Sequence, residues 1–462
     1  MVPAGRRLTV EPNISVSGIA GRPMRIKSKV GSLIHRLLYV CIAAFLLVRA
    51  STIRTTGRRL IFCPTPIISN RYWVEALREG GEDAVTLMSG HYSVNRKEDF
   101  DLYYDDLVPN WIPMRSLRAD LGPLFASLYV LREGSVMHIP YTGGPLGSTR
   151  LWRWESKLLK RAGVRVVVLP YGGDAYMYSQ VIDTSLRQGL LLSYPAAARR
   201  EPEIRKRIET WNLAADAVIC GFMLDGMGRW DVPAPAPWCI DLQAWRPGPR
   251  RGRGDGMKGK VTIVHTPNHR GFKGTEFIVD AVDKLRSEGL LVELQLLERV
   301  PNEQVRTVFQ QVDILVDQLI ATAYAFSGIE GMASGLPVLA NLENDAYTRL
   351  FRRWSYLQEC PVVSTSPETA VRNLRLLITR PDLREMLGRA GRAYAEKYHS
   401  YETARFLFGC VHDKILGRGE VDLMNIFHPL LGEYGSRLPR VEHPLQDSRL
   451  PEDLFQPAGS PL

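Results

Sequence analysis

From residue 60 onward the chain alternates between two hydrophobic patterns. Short unbroken apolar runs predict buried strands in LIFCPTPIIS (60–69, a strand and its following loop), SVMHIPY (135–141), VRVVVLPYGGD (164–174) and AADAVICG (214–221). Between them, NRYWVEALREGG (70–81) and Leu151–Ala162 repeat apolar residues every three or four positions and stop at glycines, which predicts helices. Strands apolar on both faces, separated by helices, predict a parallel sheet covered on both sides.

The pattern breaks at WRPGPRRGRGDGMKGK (245–260), which is rich in Gly, Pro and Arg and has no apolar period, the composition of a linker. It then restarts. VTIVH (261–265), VELQLLE (292–298) and DILVDQL (313–319) predict strands, and NEQVRTVFQQ (302–311) predicts a helix. Thr275 is the expected N-cap of EFIVDAVDKLRSE, with Phe277, Ile278, Ala281, Val282 and Leu285 on its apolar face and Gly289 at its end. FSGIEGMASGLPVLAN (326–341) predicts a helix, a Gly-x-Pro turn and a strand. Continuous amphipathic helices follow over 367–378, 381–397 and 401–417.

The expected fold class is therefore α/β, with two Rossmann-like doubly wound domains facing a cleft. The boundaries are an arm over 1–58, a first domain over 59–245, a linker over 246–258 and a second domain over 259–400. Helices over 401–432 pack back, and a polar, loosely ordered tail occupies 433–462. A cleft between two such domains, at the carboxyl ends of the strands, is where a ligand is expected.

A length of 462 residues, with 45% hydrophobic and 23% charged residues, agrees with two ordinary globular domains. The net charge of +10 changes that picture in one place. Residues 1–60 hold eleven Arg and Lys and one acid, Glu11, so this segment carries the whole excess and the rest of the chain sums to zero. A neutral body argues against nucleic-acid binding. The six cysteines are scattered without a CxxC pair, which speaks against zinc or a disulfide framework and agrees with a reducing cytosol. In the arm, LLYVCIAAFLLV (37–48) is uncharged between Arg36 and Arg49. Twelve helical residues span roughly 18 Å, short of the roughly 30 Å bilayer core. The run fits either a helix lying in a membrane interface or a first helix capping the core, with a signal peptide ranked last. The expected location is the cytoplasm, with peripheral association with the inner membrane face as the consequence of the first option.

The segments ADAVIC and WCIDLQAWRP, then HTPNHRGFKGT, VDILVDQ, IEGMASGLPVLA and RPDLREMLGRAGRAYAEKY, taken in order, resemble the retaining GT-B glycosyltransferases of the family-four type. The resemblance covers residue 60 to about 417 and is more specific in the second half. It implies transfer of a sugar from a nucleotide-sugar donor with retention of configuration, without a metal ion or other cofactor. The donor is held by the second domain and a glycan or lipid-linked acceptor largely by the first.

Residue by residue, the resemblance implies that Glu330 holds the donor ribose and that Lys273 pairs with the diphosphate. A carboxylate accepts from both ribose hydroxyls, and a lysine offsets charge growing on the leaving group. Arg270 is a substitute for the family arginine, whose place falls nearer Asn268. The amides around Ala325, Phe326, Ser327 and Gly328 open the Glu330 helix, whose positive end would face the diphosphate or only water. The family's first motif glutamate is Thr322 here, which either keeps one hydrogen bond to the donor or packs. In the first domain, Tyr171 replaces the histidine of a His-Gly-x-Asp motif, and Asp174 remains to bind a hydroxyl or cap a helix. Ser69 and Asn70 follow the first strand, in a donor and acceptor loop or a plain turn. His138, His265, Asp317 and Gln318 lie at strand ends, where they touch ligand or sit satisfied in the core. No general base is apparent; in the family, a donor phosphate oxygen takes the acceptor proton. A nucleotide- or glycan-binding relative without turnover and a nucleotide-sugar epimerase are the competing readings.

Overall fold

The computed structural model describes residues 29–92, 95–112, 114–222, 225–249, 254–437 and 439–455. The basic residues of the arm before Lys29, the centre of the linker (250–253) and the end of the tail (456–462) lie outside the described residues.

The first domain holds seven strands: β1 (Arg59–Phe62), β2 (Ala84–Met88), β3 (Leu102–Tyr103), β4 (Gly134–Ile139), β5 (Arg165–Val168), β6 (Ala217–Cys220) and β7 (Val232–Pro233). They pair in parallel in the order β3-β2-β1-β4-β5-β6-β7. The second domain holds β8 (Val261–His265), β9 (Val292–Leu296), β10 (Ile314–Gln318), β11 (Val338–Ala340) and β12 (Val363–Ser364), parallel in the order β12-β11-β10-β8-β9. Both sheets are doubly wound, and the two α/β units joined by one linker form the two-domain arrangement expected from the sequence.

Chain order reverses between β1 and β4 in the first sheet and between β8 and β10 in the second. Loops leaving neighbouring strands at such a reversal diverge and open a crevice above the strand ends. Those four loops border the cleft.

The domains are tied together at the back. The helix Tyr401–Leu416 returns to the first domain, where Tyr401 donates to Glu75 at 2.7 Å and Arg405 pairs with Glu79 at 3.1 Å. Phe408 meets the ring of Phe62 edge-on, with centroids 5.4 Å apart.

Several expectations need correction. The N-terminal helix runs over Lys29–Thr52, twice the length of the apolar run, because Arg36 and Arg49 sit on its surface rather than at its ends. Thr275 is not the N-cap of its helix; Gly274, at φ 74°, holds that position, and the Thr275 hydroxyl bonds His265. Phe277 is about half exposed, outside the buried row Ile278, Ala281, Val282 and Leu285. The tail is ordered to Phe455: Leu445 and Leu450 are buried in the second core, and the Ser364 amide at β12 donates to Ser448 at 2.7 Å. Its prolines hid these anchors, because single apolar residues without a period carry no sequence signal.

Candidate functional site

The crevice above β8 and β10 holds a compact polar group. β10 ends in Asp317 and Gln318, both buried. The loop after β8 folds into one short turn, Arg270–Lys273, and Gly274 in the left-handed region delivers the chain into the next helix. This places the Lys273 ammonium 2.6 Å from the Asp317 carboxylate, with both side chains almost wholly buried. Asp317 also accepts from the Ala325 amide at 2.5 Å and from the Ser327 hydroxyl at 2.7 Å. Lys273 and these bonds hold its carboxyl below the usual range despite burial.

The positive end of the helix Phe326–Ala333 is therefore already met by a protein carboxylate. A phosphate at this helix end would have to share it with Asp317. Gly328 permits the arrangement: a Cβ there would lie 3.0 Å from Asp317 Oδ2 and 3.2 Å from Tyr324 Cβ.

Glu330 lies one turn further along this helix, on the same side as Phe326. Phe326 stacks on Tyr72 of the first domain (5.9 Å, 10°) and meets Trp238 edge-on. Glu330 is 7% exposed, and among the described residues its carboxyl makes no hydrogen bond or ion pair. Burial, and then the nearby Asp317 charge, push it up from 4.5 to about 8; Arg306 and Lys273 oppose this without reversing it. At neutral pH it is thus a protonated acid, both donor and acceptor. Two more oxygens nearby in the chain are buried without partners: Thr322 Oγ1, and Gln318 Oε1, whose amide nitrogen is spent on Ala321 and Ala323. Buried polar groups are seldom left unpaired, and these two lie at the end of β10 and in the loop that leads to the Glu330 helix, where a ligand's polar groups are met in such a fold.

Arg306 and Tyr72 complete the surroundings of Glu330. The Arg306 guanidinium lies 5.5 Å from the Trp245 ring, and its Nε is buried without a partner. Both residues escaped the sequence reading. Arg306 sits in an ordinary amphipathic helix, and Tyr72 reaches the site only because the domains meet. Asn268 is exposed. Arg270 is turned outward and engaged by Glu276 at 2.7 Å and Glu298 at 3.0 Å, so the expected partner cation of Lys273 faces away.

The remaining candidates are structural in their geometry. His265 uses both ring nitrogens inside the domain, on Val316 O and Thr275 Oγ1, and burial lowers it to about 4. His138 lies against His412, with Nε2 atoms 2.9 Å apart, and stacks on Phe62 at 3.9 Å. The Asp174 carboxylate accepts from the amides of Tyr141, Tyr171 and Gly172, pinning the loop after β5 to the loop after β4. Burial raises it to about 6 in spite of these bonds. Tyr171 lies beside it, partly exposed. Ser69 and Asn70 are buried at the start of the helix Ile68–Glu79, where the Asn70 amide donates to Thr65 O at 2.8 Å.

The lobes also meet at the front of the cleft. The first-domain helix Thr184–Ser193 lies on the Lys273 loop: Ser193 Oγ accepts from the Phe272 amide at 3.1 Å, and a Cβ on Gly189 would stand 2.9 Å from Ile320 Cγ2. Asn344 donates to Asp183 at 3.0 Å, and Tyr347 donates to Asp225. Among the described residues, no group of three or more His, Cys, Asp or Glu side chains is placed to hold a metal ion.

No family model and no curated protein matches the chain. Solved structures do. The chain is similar to a glycosyltransferase from Rickettsia africae ESF-5, at 12% identity over 80% of this chain and 100% of that one, TM-score 0.44. It is similar to Anabaena Alr3699/HepE in complex with UDP-glucose, at 12% identity over 76% and 98%, TM-score 0.46. It is also similar to S. aureus MnaA with UDP, at 12% identity over 79% and 97%, TM-score 0.43. The doubly wound architecture stands on the strand order of the two sheets, and the crevice on the contacts around Glu330.

Proposed function

We propose that the chain is a glycosyltransferase that takes a sugar from a nucleotide-sugar donor and passes it to a glycan or lipid-linked acceptor, with retention of configuration. The observation that carries this reading is Glu330. A buried carboxyl without a protein partner among the described residues, pushed toward its neutral form by burial, stands at the reversal point of the second sheet and matches a vicinal diol such as that of ribose. Its neutrality lowers the repulsion an incoming diphosphate would meet beside Asp317. Lys273 is the cation within reach of that diphosphate. To reach it, the ammonium has to exchange part of its contact with Asp317 for the phosphate oxygens. The charge growing on the leaving diphosphate then strengthens the new contact in the transition state. Asp174 and its pinned loop shape the acceptor side through the backbone of Tyr141 to Gly144. Among the described residues no side chain in the crevice is placed as an obvious base, and in this reading a donor phosphate oxygen takes the acceptor proton.

A thermal-shift screen of nucleotides and nucleotide-sugars tests this reading. At least one is expected to raise the melting temperature of the wild type and to lose that effect in Glu330→Ala. If none stabilises the wild type, or the variant responds equally, the assigned site is wrong.

A second reading, a nucleotide- or glycan-binding relative without turnover, is favoured by the pairing of Lys273 with Asp317 and by threonine at 322. Nucleotide binding without sugar transfer across a broad donor and acceptor panel would establish it.

A further inference from the structure

The helix Lys29–Thr52 has two apolar faces and only one of them is covered. Ala43 and Leu46 are buried, with Ile42 and Tyr39 beside them, against Ile112, Leu117, Leu121 and Leu124 of the first domain, and Ala50 is buried in the main core below. On the other side Ile34, Leu37, Leu38, Phe45 and Val48 form a row at helical spacing that is open to solvent, with Phe45 64% and Val48 65% exposed. A surface helix of a soluble domain carries polar residues there. Between Arg36 and Arg49 this one carries no charge at all.

The border of the row has its own chemistry. Trp111, 72% exposed, precedes Ile112 of the same apolar cluster, and Trp154, 57% exposed, projects from the helix Trp152–Ala162 that packs beside it. Lys157 lies 5.1 Å from the Trp154 ring, and Arg36, Arg49, Arg115 and Arg153 are exposed nearby. In the sequence, residues 1–28 add Arg6, Arg7, Arg22, Arg25 and Lys27 against Glu11. Aromatic side chains and cations around an apolar strip are the complement of a bilayer surface, where hydrocarbon lies under a layer of anionic headgroups.

We propose that this face seats the protein on an anionic lipid bilayer, with the helix lying in the interface. The helix does not cross the bilayer, although by length and composition alone Ile34–Thr52 could do so. Crossing would strip its inner face from the core of the first domain. It would also place Arg36 and Arg49 inside the hydrocarbon, because thirteen helical steps separate them by only about 20 Å. A second copy of the chain is a poorer occupant, because face-to-face packing would bring the two cationic borders together. The N-terminal end of the helix, where His35 meets Asp120 at 3.1 Å, lies toward the carboxyl ends of the first sheet. Its other end lies below, where Thr55 donates to Gly134 O at the start of β4. The seat therefore runs up the side of the domain to the level of the cleft. This inference stands on the surface alone and does not depend on the catalytic reading.

Co-sedimentation of the full chain with sucrose-loaded vesicles tests it. Binding to equal parts phosphatidylglycerol and phosphatidylcholine is expected, with weaker binding to phosphatidylcholine alone and a fall as salt is raised. The triple variant Leu37→Ser, Phe45→Ser, Val48→Ser should bind about tenfold more weakly or worse, since each change removes a large apolar group from the interface. Phe45→Ser alone, with an unchanged melting temperature, serves if the triple variant does not fold. Absence of vesicle binding, binding indifferent to headgroup charge, or variants that bind like the wild type would overturn the proposal. Resistance of the bound protein to alkaline carbonate would overturn the flat placement. Light scattering that shows a dimer broken by the triple variant, without lipid binding, would assign the face to a second copy instead.

Discussion

Replacing Glu330 with glutamine should stabilise the protein, and by an amount that grows with pH. The carboxyl lies near 8 in the folded chain, against an ordinary value of 4.5, because burial and the Asp317 charge disfavour its ionised form. The folded protein therefore holds a proton that the unfolded chain releases. Stability falls as pH rises from 4.5 toward 8, at up to about 1.4 kcal/mol per pH unit. Glutamine keeps the shape of the neutral acid and cannot ionise. The variant should exceed the wild type by roughly 1.4 kcal/mol at pH 5.5 and roughly 4 kcal/mol at pH 7.5. Equilibrium urea unfolding at the two pH values reads the difference, roughly 2.5 kcal/mol, and other titrating groups such as Asp174 cancel between the proteins. A gap that does not change with pH would show that Glu330 ionises freely, and the account of a neutral diol-binding acid would fail. A bound nucleotide should narrow the gap at pH 7.5, because its hydroxyls supply the partners that the protein withholds.

Lys273→Met should cost roughly 3–5 kcal/mol in urea unfolding, since it leaves the buried Asp317 charge without its cation; combining it with Asp317→Asn should recover much of the loss, and a loss that persists would mean that packing rather than charge dominates. Arg270→Ala should change stability by less than about 1 kcal/mol and leave any nucleotide-induced thermal shift intact, because its two ion pairs are exposed and face away from the crevice. A lost shift would return Arg270 to the site. His138 and His412 should stay neutral well below pH 6.5, as burial lowers His412 to about 4, with the Arg418 charge adding, and burial and then the His412 ring lower His138 well below its ordinary value. Stability conferred by these neutral rings is lost as pH falls below 6.5, where the unfolded chain takes up protons that the folded chain refuses. An NMR titration in which either ring changes near 6.5 would contradict their placement.

The residues that speak in the sequence are those whose meaning is local. Gly289, Gly335 and the apolar runs of β8, β10 and β11 announce turns and strands through backbone freedom and side-chain period, and the structure has those elements within a few residues of their expected bounds. Lys273 and Glu330 stand out in the sequence because they fall within motifs that resemble a known family, and the structure buries both near Asp317. Arg270 stands out on the same ground, but a side chain turns toward whichever partners it finds, here Glu276 and Glu298. Tyr72 carried no signal, because it comes near Glu330 only after the two domains have packed, and Arg306 carried none, because it sits in an ordinary amphipathic helix.

By itself the sequence determined two parallel α/β domains, the linker between them and a basic arm, since each of these follows from periodicity, glycine placement or charge counted along the chain. Only the tertiary structure decided the state of the groups. It put Asp317 against Lys273 and at the head of the next helix, left Glu330 protonated and without a partner, and covered one face of the N-terminal helix while leaving the other bare. Burial and charge proximity set those outcomes, and both depend on residues distant in the chain.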